Sequence, residues 1–242
     1  MTALCVPVLG GTLEVRVVSP AGGAPVVLVA HDGPAYEDGA ALSTLARGTH
    51  VALLSPGDRN EWYSANPAYA DALVDRVLPR LPAGPRVGLG ASLGALALLH
   101  AEHHRPGTFA GLFLQSGSFF TAELDPQESG FPRYRRILDF VDIAAPTAAE
   151  TVLTCGRDEE NLHNNRAMAR RLGVPLIEVP GGHSMTTWRD ALGPHLPPLL
   201  RQLTDGREFT DGPSHRPAAR HGAGLAPRVR DADRPDRPDP RP

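Results

Sequence analysis

Short apolar runs alternate with longer amphipathic stretches along most of this chain. Several runs are apolar without interruption, as in residues 26–30, which read Val-Val-Leu-Val-Ala. Continuous apolar runs of this length are typical of strands buried on both faces of a parallel sheet. Strands are predicted at residues 13–18, 25–30, 51–54, 86–90, 111–115, 151–155 and 176–179.

Helical patterns fill the segments between these strands. Asn66-Pro67 places a proline at a first helical position, and Leu172-Gly173 has the form of a helix C-terminus. Helices are predicted at residues 39–46, 67–81, 92–104, 160–172 and 187–203. Alternating strands and helices predict an α/β fold with a mainly parallel central sheet and helices on both faces.

The character of the sequence changes near residue 205. Residues 1–204 have the composition and length of one globular domain. Residues 205–242 are dense in Pro, Arg and Asp and hold few apolar side chains, so burial cannot offset the chain entropy and a disordered tail is expected. Within the domain, residues 121–132 are polar and broken by proline and glycine, which predicts a surface excursion or a small lid.

Composition and charge exclude several classes of function. The net charge of −3 predicts no general attraction to nucleic acid or to an anionic membrane, and no apolar run has the length of a membrane span. Cys5 and Cys155 lie in apolar stretches, which favours two buried free thiols and a reducing, cytoplasmic location. The chain has no lysine, so chemistry that needs a Schiff-base or phosphate-loop lysine is excluded.

The clearest chemical motif is a G-x-S-x-G pattern at Gly90, Ser92 and Gly94. A predicted strand precedes it and a predicted helix follows, which is the context of a nucleophile elbow, where a serine sits on a strained turn. The two glycines would let strand and helix approach closely. The alternative is a structural turn with an idle serine.

An oxyanion site is expected beside this serine. The Leu93 N–H lies at the start of the predicted helix, where backbone donors are unpaired and the helix dipole favours negative charge. A second donor is expected from the loop after the strand at residues 25–30. Pro34 has no N–H, so this donor would be Gly33 or Asp32, unless the segment is a plain turn.

The best candidate for a general base is His183, in a glycine-rich loop directly after the last predicted strand. A surface histidine or a helix cap is the alternative. The helix histidines His100, His103 and His104 would complement a helix dipole, and since no H-E-x-x-H pattern exists and no cysteine lies nearby, no zinc site is predicted there. Two further histidines, His215 and His221, belong to the tail.

An acid that orients His183 is expected after the strand at residues 151–155, where Asp158 and Glu159 follow Gly156. Glu159 is the first choice and Asp158 the alternative. The chain order Ser92, acid, His183 is that of α/β-hydrolases and differs from the orders of chymotrypsin and subtilisin.

The sequence resembles a known family, the esterase family of α/β-hydrolases that includes the enterochelin esterases and esterase D. The likeness rests on six segments at residues 31–33, 59–66, 88–94, 114–119, 155–165 and 181–189. The resemblance implies a serine ester hydrolase with a Ser92–His183–Glu159 (or Asp158) triad, no cofactor and a small-molecule ester substrate. It also implies that the segment with Arg59 and Tyr63 lies near the substrate, with the alternative that Arg59 simply braces a loop. His31, which lies in the expected oxyanion loop, is expected to line the pocket.

Two other functions are compatible with the same residues. An acyltransferase would use the same acyl-enzyme and pass the acyl group to an alcohol or thiol instead of water. A catalytically idle hydrolase fold would serve as a binding module. Neither the acyl group nor the oligomeric state is indicated by the sequence.

Overall fold

The computed structural model describes residues 1–205, and these form one eight-stranded sheet flanked by helices. The strands are β1 (Thr2–Val8), β2 (Gly11–Val18), β3 (Val27–Ala30), β4 (His50–Leu54), β5 (Arg86–Ala91), β6 (Gly111–Gln115), β7 (Glu150–Gly156) and β8 (Leu176–Val179). Their spatial order is β1-β2-β4-β3-β5-β6-β7-β8. The first two strands pair antiparallel, β2 pairs antiparallel with β4, and all later pairs are parallel.

Eight α-helices connect or flank the strands within this part of the chain. They are α1 (Gly33–Ala40), α2 (Leu42–Leu45), α3 (Arg59–Tyr63), α4 (Pro67–Ala72), α5 (Leu93–His104), α6 (Tyr134–Ile143), α7 (Leu162–Leu172) and α8 (Met185–Asp205). A π-helical turn (Leu73–Val77) and a 3₁₀ turn (Leu78–Arg80) continue α4, and another 3₁₀ turn covers Pro126–Gly130. None of the helices described is long and apolar enough to cross a membrane.

Each face of the sheet carries its own apolar cluster, as the uninterrupted apolar runs predict. In β3, Val27 and Val29 pack into one cluster with α4 to α7, and Leu28 and Ala30 pack into the other with α1, α2 and α8. Because successive side chains of a strand point to opposite faces, a strand covered on both sides has to be apolar at every position. The predicted architecture is therefore confirmed.

Strand β5 shows why α5 lies so close to the sheet. Its apolar residues Val87 and Leu89 face α8, whereas its glycines face α5. A Cβ added to Gly88 would lie 2.8 Å from a methyl carbon of Leu98 in α5. The alternation of glycine with larger residues thus brings the start of α5 directly beside the end of β5.

Several sequence predictions need correction. The strand β1 and the helix α6 were not expected, and the helix expected at residues 39–46 is replaced by α1 and α2, which meet at Ala41 with φ +48°. The predicted helix at residues 67–81 changes from α to π and then to 3₁₀ geometry after Ala72. Cys155 is buried as expected, but Cys5 is exposed, because it lies on the outward side of β1. The predicted tail lies outside the described residues, except for Asp205.

Candidate active site

Ser92 occupies a sharp turn between β5 and α5. Its backbone has φ +56° and ψ −125°, which is strained for any residue with a Cβ. A Cβ on Gly90 would lie only 2.7 Å from the carbonyl carbon of Gly94, so strand and helix touch through these two glycines. The turn therefore has the geometry that the G-x-S-x-G pattern predicts, with a half-buried serine at the carboxyl edge of the sheet.

The backbone and the hydroxyl of Ser92 are both held by the segment after β6. The Ser92 N–H donates to the Gln115 carbonyl at 2.9 Å, and the Ser118 N–H donates to the Ser92 carbonyl at 3.2 Å. The Ser92 and Ser118 hydroxyl oxygens are 3.1 Å apart and share a hydrogen bond. Among the hydrogen bonds of the described residues, none joins the Ser92 hydroxyl directly to the ring of His183.

His183 lies on the loop between β8 and α8 and lines the same cavity as Ser92. Its side chain is 43% exposed, and its Nδ1 is 2.8 Å from Oε2 of Glu159, whose side chain is fully buried. The neighbouring Asp158 is exposed, and its N–H donates to the carbonyl of Gly181. Of the two acids expected from the sequence, the structure pairs Glu159 with the histidine.

The other oxygen of the Glu159 carboxylate is also fully engaged. Oε1 accepts hydrogen bonds from the Ser116 hydroxyl at 2.6 Å and from the Gly156 N–H at 2.8 Å. Burial alone would raise the pKa of Glu159, but the hydrogen bonds from His183, Ser116 and Gly156 outweigh it and leave the pKa lowered. Glu159 is therefore held as a carboxylate, and its Oε2 accepts a hydrogen bond from the Nδ1–H of His183.

Two further contacts orient His183 and its partners. The Trp188 ring meets the His183 ring edge to face, with centroids 5.1 Å apart. The Trp188 indole N–H donates to the Ser116 hydroxyl at 3.0 Å. Tryptophan, serine, glutamate and histidine thus form one continuous hydrogen-bonded chain, in which Ser116 is fully buried and adopts φ +47°.

Two helices begin beside Ser92 and offer free backbone donors. Leu93 is the first residue of α5, and Gly33 is the first residue of α1, so the N–H of each has no acceptor within its own helix. A Cβ on Gly33 would lie 2.4 Å from Cα of Leu53, which explains why glycine stands there. Asp32, the other expected donor, adopts φ +52°, and its carboxylate is paired with Arg59.

The histidine and tyrosine expected near the substrate lie in the interior of the domain. His31 and Tyr63 are both fully buried and line neither of the two cavities described below, so the structure gives no support to their expected place near the substrate, which stays a prediction. His31 Nε2 is 2.8 Å from the Tyr69 hydroxyl, and burial, helped by the charge of Arg59, lowers the pKa of His31 to about 3. His31 is therefore a neutral, buried side chain that packs beneath the backbone of Asp32 and Gly33.

Two cavities open next to the candidate nucleophile. The first, of about 470 Å³, is lined by Ser92, Ser118 and His183 together with several carboxylates. The second, of about 360 Å³, lies against Ala91 and is lined mainly by apolar side chains, with Asp32 and Arg59 at its edge. Arg59 lines this second cavity and is paired with Asp32, so its nearness to a substrate stays a prediction.

The helix histidines form no metal centre in the part of the chain that the structure describes. His100 stacks on His104 and packs its ring against Phe140, and His104 pairs with Asp71. Burial lowers the pKa of His100 to about 4, with a further contribution from His104. No group of three or more His, Cys, Asp or Glu side chains within residues 1–205 is arranged to hold a metal ion.

Sequence reasoning assigned no role to Ser116, Ser118 or Trp188. The first two lie in a segment that follows β6, and β6 is the neighbour of β5 in the sheet. Residues that follow adjacent parallel strands lie at the same edge of the sheet. The polar segment after β6 could therefore have been predicted to lie next to Ser92. Trp188 lies on α8 and gives no such signal, because its contact with His183 depends on how that helix docks.

The sequence matches no protein-family model and no curated protein sequence. The fold, however, is similar to that of several solved structures. The enterobactin esterase FES of Shigella flexneri superposes with a TM-score of 0.67 at 21% identity, over 84% of this chain and 59% of that one. A ferulic acid esterase superposes with a TM-score of 0.64 at 18% identity, over 84% of this chain and 96% of that one.

A third solved structure is similar over nearly its whole length. The fluorophosphonate-binding serine hydrolase F of Staphylococcus aureus gives a TM-score of 0.62 at 15% identity, over 82% of this chain and 97% of that one. The chain thus spans about three fifths of the Shigella esterase, at 59%, and nearly all of the other two structures. Together with the strand order, these similarities establish the α/β-hydrolase fold.

Proposed function

We propose that this chain is a serine hydrolase of carboxylic esters that works through an acyl-enzyme. The observation that carries the proposal is the Glu159–His183 pair facing the same cavity as Ser92, which sits on a strained elbow. A buried carboxylate, an imidazole and a serine at one sheet edge are the three groups that acyl transfer needs. The similar structures named as esterases and a serine hydrolase support the same chemistry.

In the proposed reaction, Ser92 attacks the ester carbonyl while His183 removes its proton. Glu159 accepts from Nδ1, which leaves Nε2 free as the base and stabilises the imidazolium that forms. The Ser92 hydroxyl, now bonded to Ser118, would turn toward His183 by rotation about its Cα–Cβ bond. His183 then protonates the departing alcohol, and water attacks the acyl-enzyme in the same way.

Negative charge on the carbonyl oxygen needs donors that are already in place. The N–H groups of Leu93 and Gly33 lie at the starts of α5 and α1, where the helix dipole also favours an anion. Asp32 is a less suitable donor, because it precedes the first helical residue, so its N–H is not among the unpaired N–H groups of the first turn of α1. We therefore assign the oxyanion site to Leu93 and Gly33.

Water is the acyl acceptor that the open site favours. The His183 side chain is 43% exposed, and the cavity beside it is polar, so bulk water reaches the acyl-enzyme without a conformational change. Product analysis with added alcohols separates hydrolysis from acyl transfer. The small-molecule ester substrate and the cytoplasmic location expected from the sequence belong to this proposal.

The direct test compares the purified protein with Ser92→Ala on p-nitrophenyl acetate. The proposal expects the variant to keep its circular dichroism spectrum and to lose nearly all turnover. Retained turnover in Ser92→Ala would remove Ser92 from the mechanism. A wild-type protein without turnover on any ester would favour the idle binding module instead.

A further inference from the structure

The first cavity contains the Ser92–His183 pair in its lining, and the second is lined by direct neighbours of that pair. Ser92 and His183 line the first cavity, whereas Ala91, the residue before the nucleophile, lines the second. Trp188 also lines the second cavity, and its ring touches the ring of His183 from that side. A substrate bonded to Ser92 would therefore have one cavity on each side of its carbonyl carbon.

The second cavity suits an apolar group. Its walls include Tyr36, Met185 and Trp188, and the charged side chains among its lining residues within 1–205 are Asp32 and Arg59. These two neutralise each other through a paired contact, with Arg59 nitrogens 3.0 and 3.1 Å from the carboxylate oxygens of Asp32. A hydrocarbon chain would gain free energy by leaving water for this cavity, and no free charge within it would need a partner.

The chemistry decides which part of an ester lies in which cavity. His183 must return its proton to the departing oxygen, so the alcohol leaves on the side of the first cavity, which His183 lines. The proposed oxyanion donor Gly33 begins α1, whose next residues, Pro34 to Tyr36, border the second cavity. The acyl chain, bonded to the carbon that carries the oxyanion, then extends into the second cavity.

The first cavity is strongly acidic. Besides Glu159, it is lined by Asp125, Glu128, Asp158 and Glu160, and no arginine is among its lining residues within the described part of the chain. Asp125 is held by neutral donors only, the Thr121 N–H and the Asn164 amide. Acidic side chains alone would mark no site, but here they surround the space that the departing alcohol has to enter.

An aromatic ring completes this cavity. Phe120 lines it and packs edge to face against Phe131. Carboxylates together with the face of an aromatic ring are the groups that bind ammonium and quaternary ammonium ions. An anionic alcohol, such as part of an iron-chelating siderophore, would be repelled by the same carboxylates.

From this arrangement we infer that the substrate is an ester of an apolar acyl group with a positively charged alcohol, of the amino-alcohol or quaternary ammonium type. The inference rests on the proposed ester hydrolysis and adds the substrate class. The apolar chain occupies the cavity beside Ala91 and Trp188, and the cationic alcohol occupies the cavity beside Glu128 and Glu160.

The test compares two esters of hexanoic acid that differ only in charge. One is the choline ester, and the other is its uncharged isostere, in which carbon replaces the quaternary nitrogen. We expect kcat/KM for the choline ester to be roughly tenfold higher at low salt, since one favourable charge contact near a protein surface has about this value. The ratio should fall as salt is added, because salt screens partly exposed charges.

Substitutions in the two cavities test which side chains cause the preference for the choline ester. In Glu128→Gln/Glu160→Gln the preference for the choline ester should shrink several-fold, whereas the matched control Glu123→Gln, an exposed glutamate outside the cavity, should keep it. For the acyl side, kcat/KM should be higher for hexanoylcholine than for acetylcholine. Ala35→Phe, which places a ring in the second cavity, should lower that ratio.

The outcomes separate this inference from the proposed function. If the uncharged ester is turned over as fast as the choline ester, or faster, the charge assignment is wrong while ester hydrolysis stands. If chain length has no effect and Ala35→Phe leaves the ratio unchanged, the acyl assignment is wrong. If neither ester is hydrolysed at any concentration, the proposed ester hydrolysis is wrong, and the inferred substrate class is wrong as well.

Discussion

The Ser116 hydroxyl donates a 2.6 Å hydrogen bond to Oε1 of Glu159, the oxygen opposite the one that faces His183. Ser116 in turn accepts from the Trp188 indole, whose ring packs against His183. The hydroxyl therefore connects two of the contacts that set the orientation of the imidazole. The backbone of Ser116 is strained, at φ +47°, and backbone strain of this kind is often found where a side chain has to be held in a particular position.

Replacing Ser116 by alanine should reduce activity without unfolding the protein. Hydrogen bonds to charged groups contribute about 1.5–3 kcal/mol, so kcat/KM for a neutral ester should fall by roughly ten- to a hundredfold. Loss of this donor should also raise the pKa of Glu159. The acidic limb of the pH profile of kcat/KM should therefore move to higher pH.

The control for this variant is Ser129→Ala, an exposed serine in the 3₁₀ turn Pro126–Gly130. It should keep both the rate and the pH profile. A purely structural role for Ser116 would lower the amount of folded protein but leave the acidic limb where it is, and that result would contradict the positioning role.

The two acids after β7 should respond very differently to substitution. Glu159→Gln keeps the size of the side chain but offers an amide to His183, so the wrong tautomer is favoured and kcat should fall by about a thousandfold or more. Asp158→Asn should change the hydrolysis of p-nitrophenyl acetate less than about threefold, since Asp158 is exposed and does not contact His183. Steady-state kinetics of both variants decide the point; a larger loss in Asp158→Asn would reverse the assignment.

The two glycines of the elbow should not be equally replaceable. A Cβ on Gly90 would lie 2.7 Å from backbone of Gly94, so Gly90→Ala should lower the free energy of unfolding by about 1–3 kcal/mol. On Gly94 the nearest atoms, in Asp32 and His31, are 3.3 Å away, and alanine also favours the helix. The contacts at 3.3 Å are tight, but a shift of a few tenths of an ångström relieves them, so urea unfolding should find a smaller loss in Gly94→Ala than in Gly90→Ala. Equal losses in both would mean that the close contact at Gly90 is not present in solution.

Stability should depend on pH through His31. This residue ordinarily has a pKa of 6.5, and burial lowers it to about 3, so between these values the unfolded chain binds a proton that the folded protein does not. The free energy of unfolding should therefore decrease by a few kcal/mol as the pH falls through this window. In His31→Gln, which does not titrate, this part of the decrease should disappear.

The matched control keeps the histidine and removes its partner. Tyr69→Phe deletes the hydroxyl that lies 2.8 Å from His31, and it should retain the wild-type pH slope even if it is less stable overall. Urea unfolding at several pH values between 4 and 7 measures the slopes. Identical slopes in wild type and His31→Gln would contradict a neutral buried His31.

The sheet was largely predictable because most of its strands are covered on both faces. The parallel strands β3 to β8 are marked by apolar runs, and each was expected close to its observed place. The strand β1 was missed because Pro7 lies within it and argues against a strand; proline is tolerated there because β1 is the edge strand of the described sheet, next to β2. The helix α6 was missed because three arginines near its start conceal its apolar face, Ile137 and Val141 among them.

The shared location of the proposed catalytic residues was predictable, and their surroundings were not. Ser92, His183 and the acid follow three separate strands, and parallel strands bring such residues to one edge. The choice between Asp158 and Glu159 depends on a single loop, so spacing alone left it open. The burial of His31 and Tyr63 and the acidity of the first cavity arise from residues distant in sequence, and no local pattern reports them.

The central claim is that Ser92 is a nucleophile activated by His183. The most direct measurement is labelling with a fluorophosphonate, followed by intact mass and peptide analysis of the wild type, Ser92→Ala, His183→Ala and Ser118→Ala. The account predicts one label on Ser92 in the wild type and in Ser118→Ala, no label in Ser92→Ala, and much slower labelling in His183→Ala. A label that persists in Ser92→Ala, or no label on the folded wild type, would contradict it.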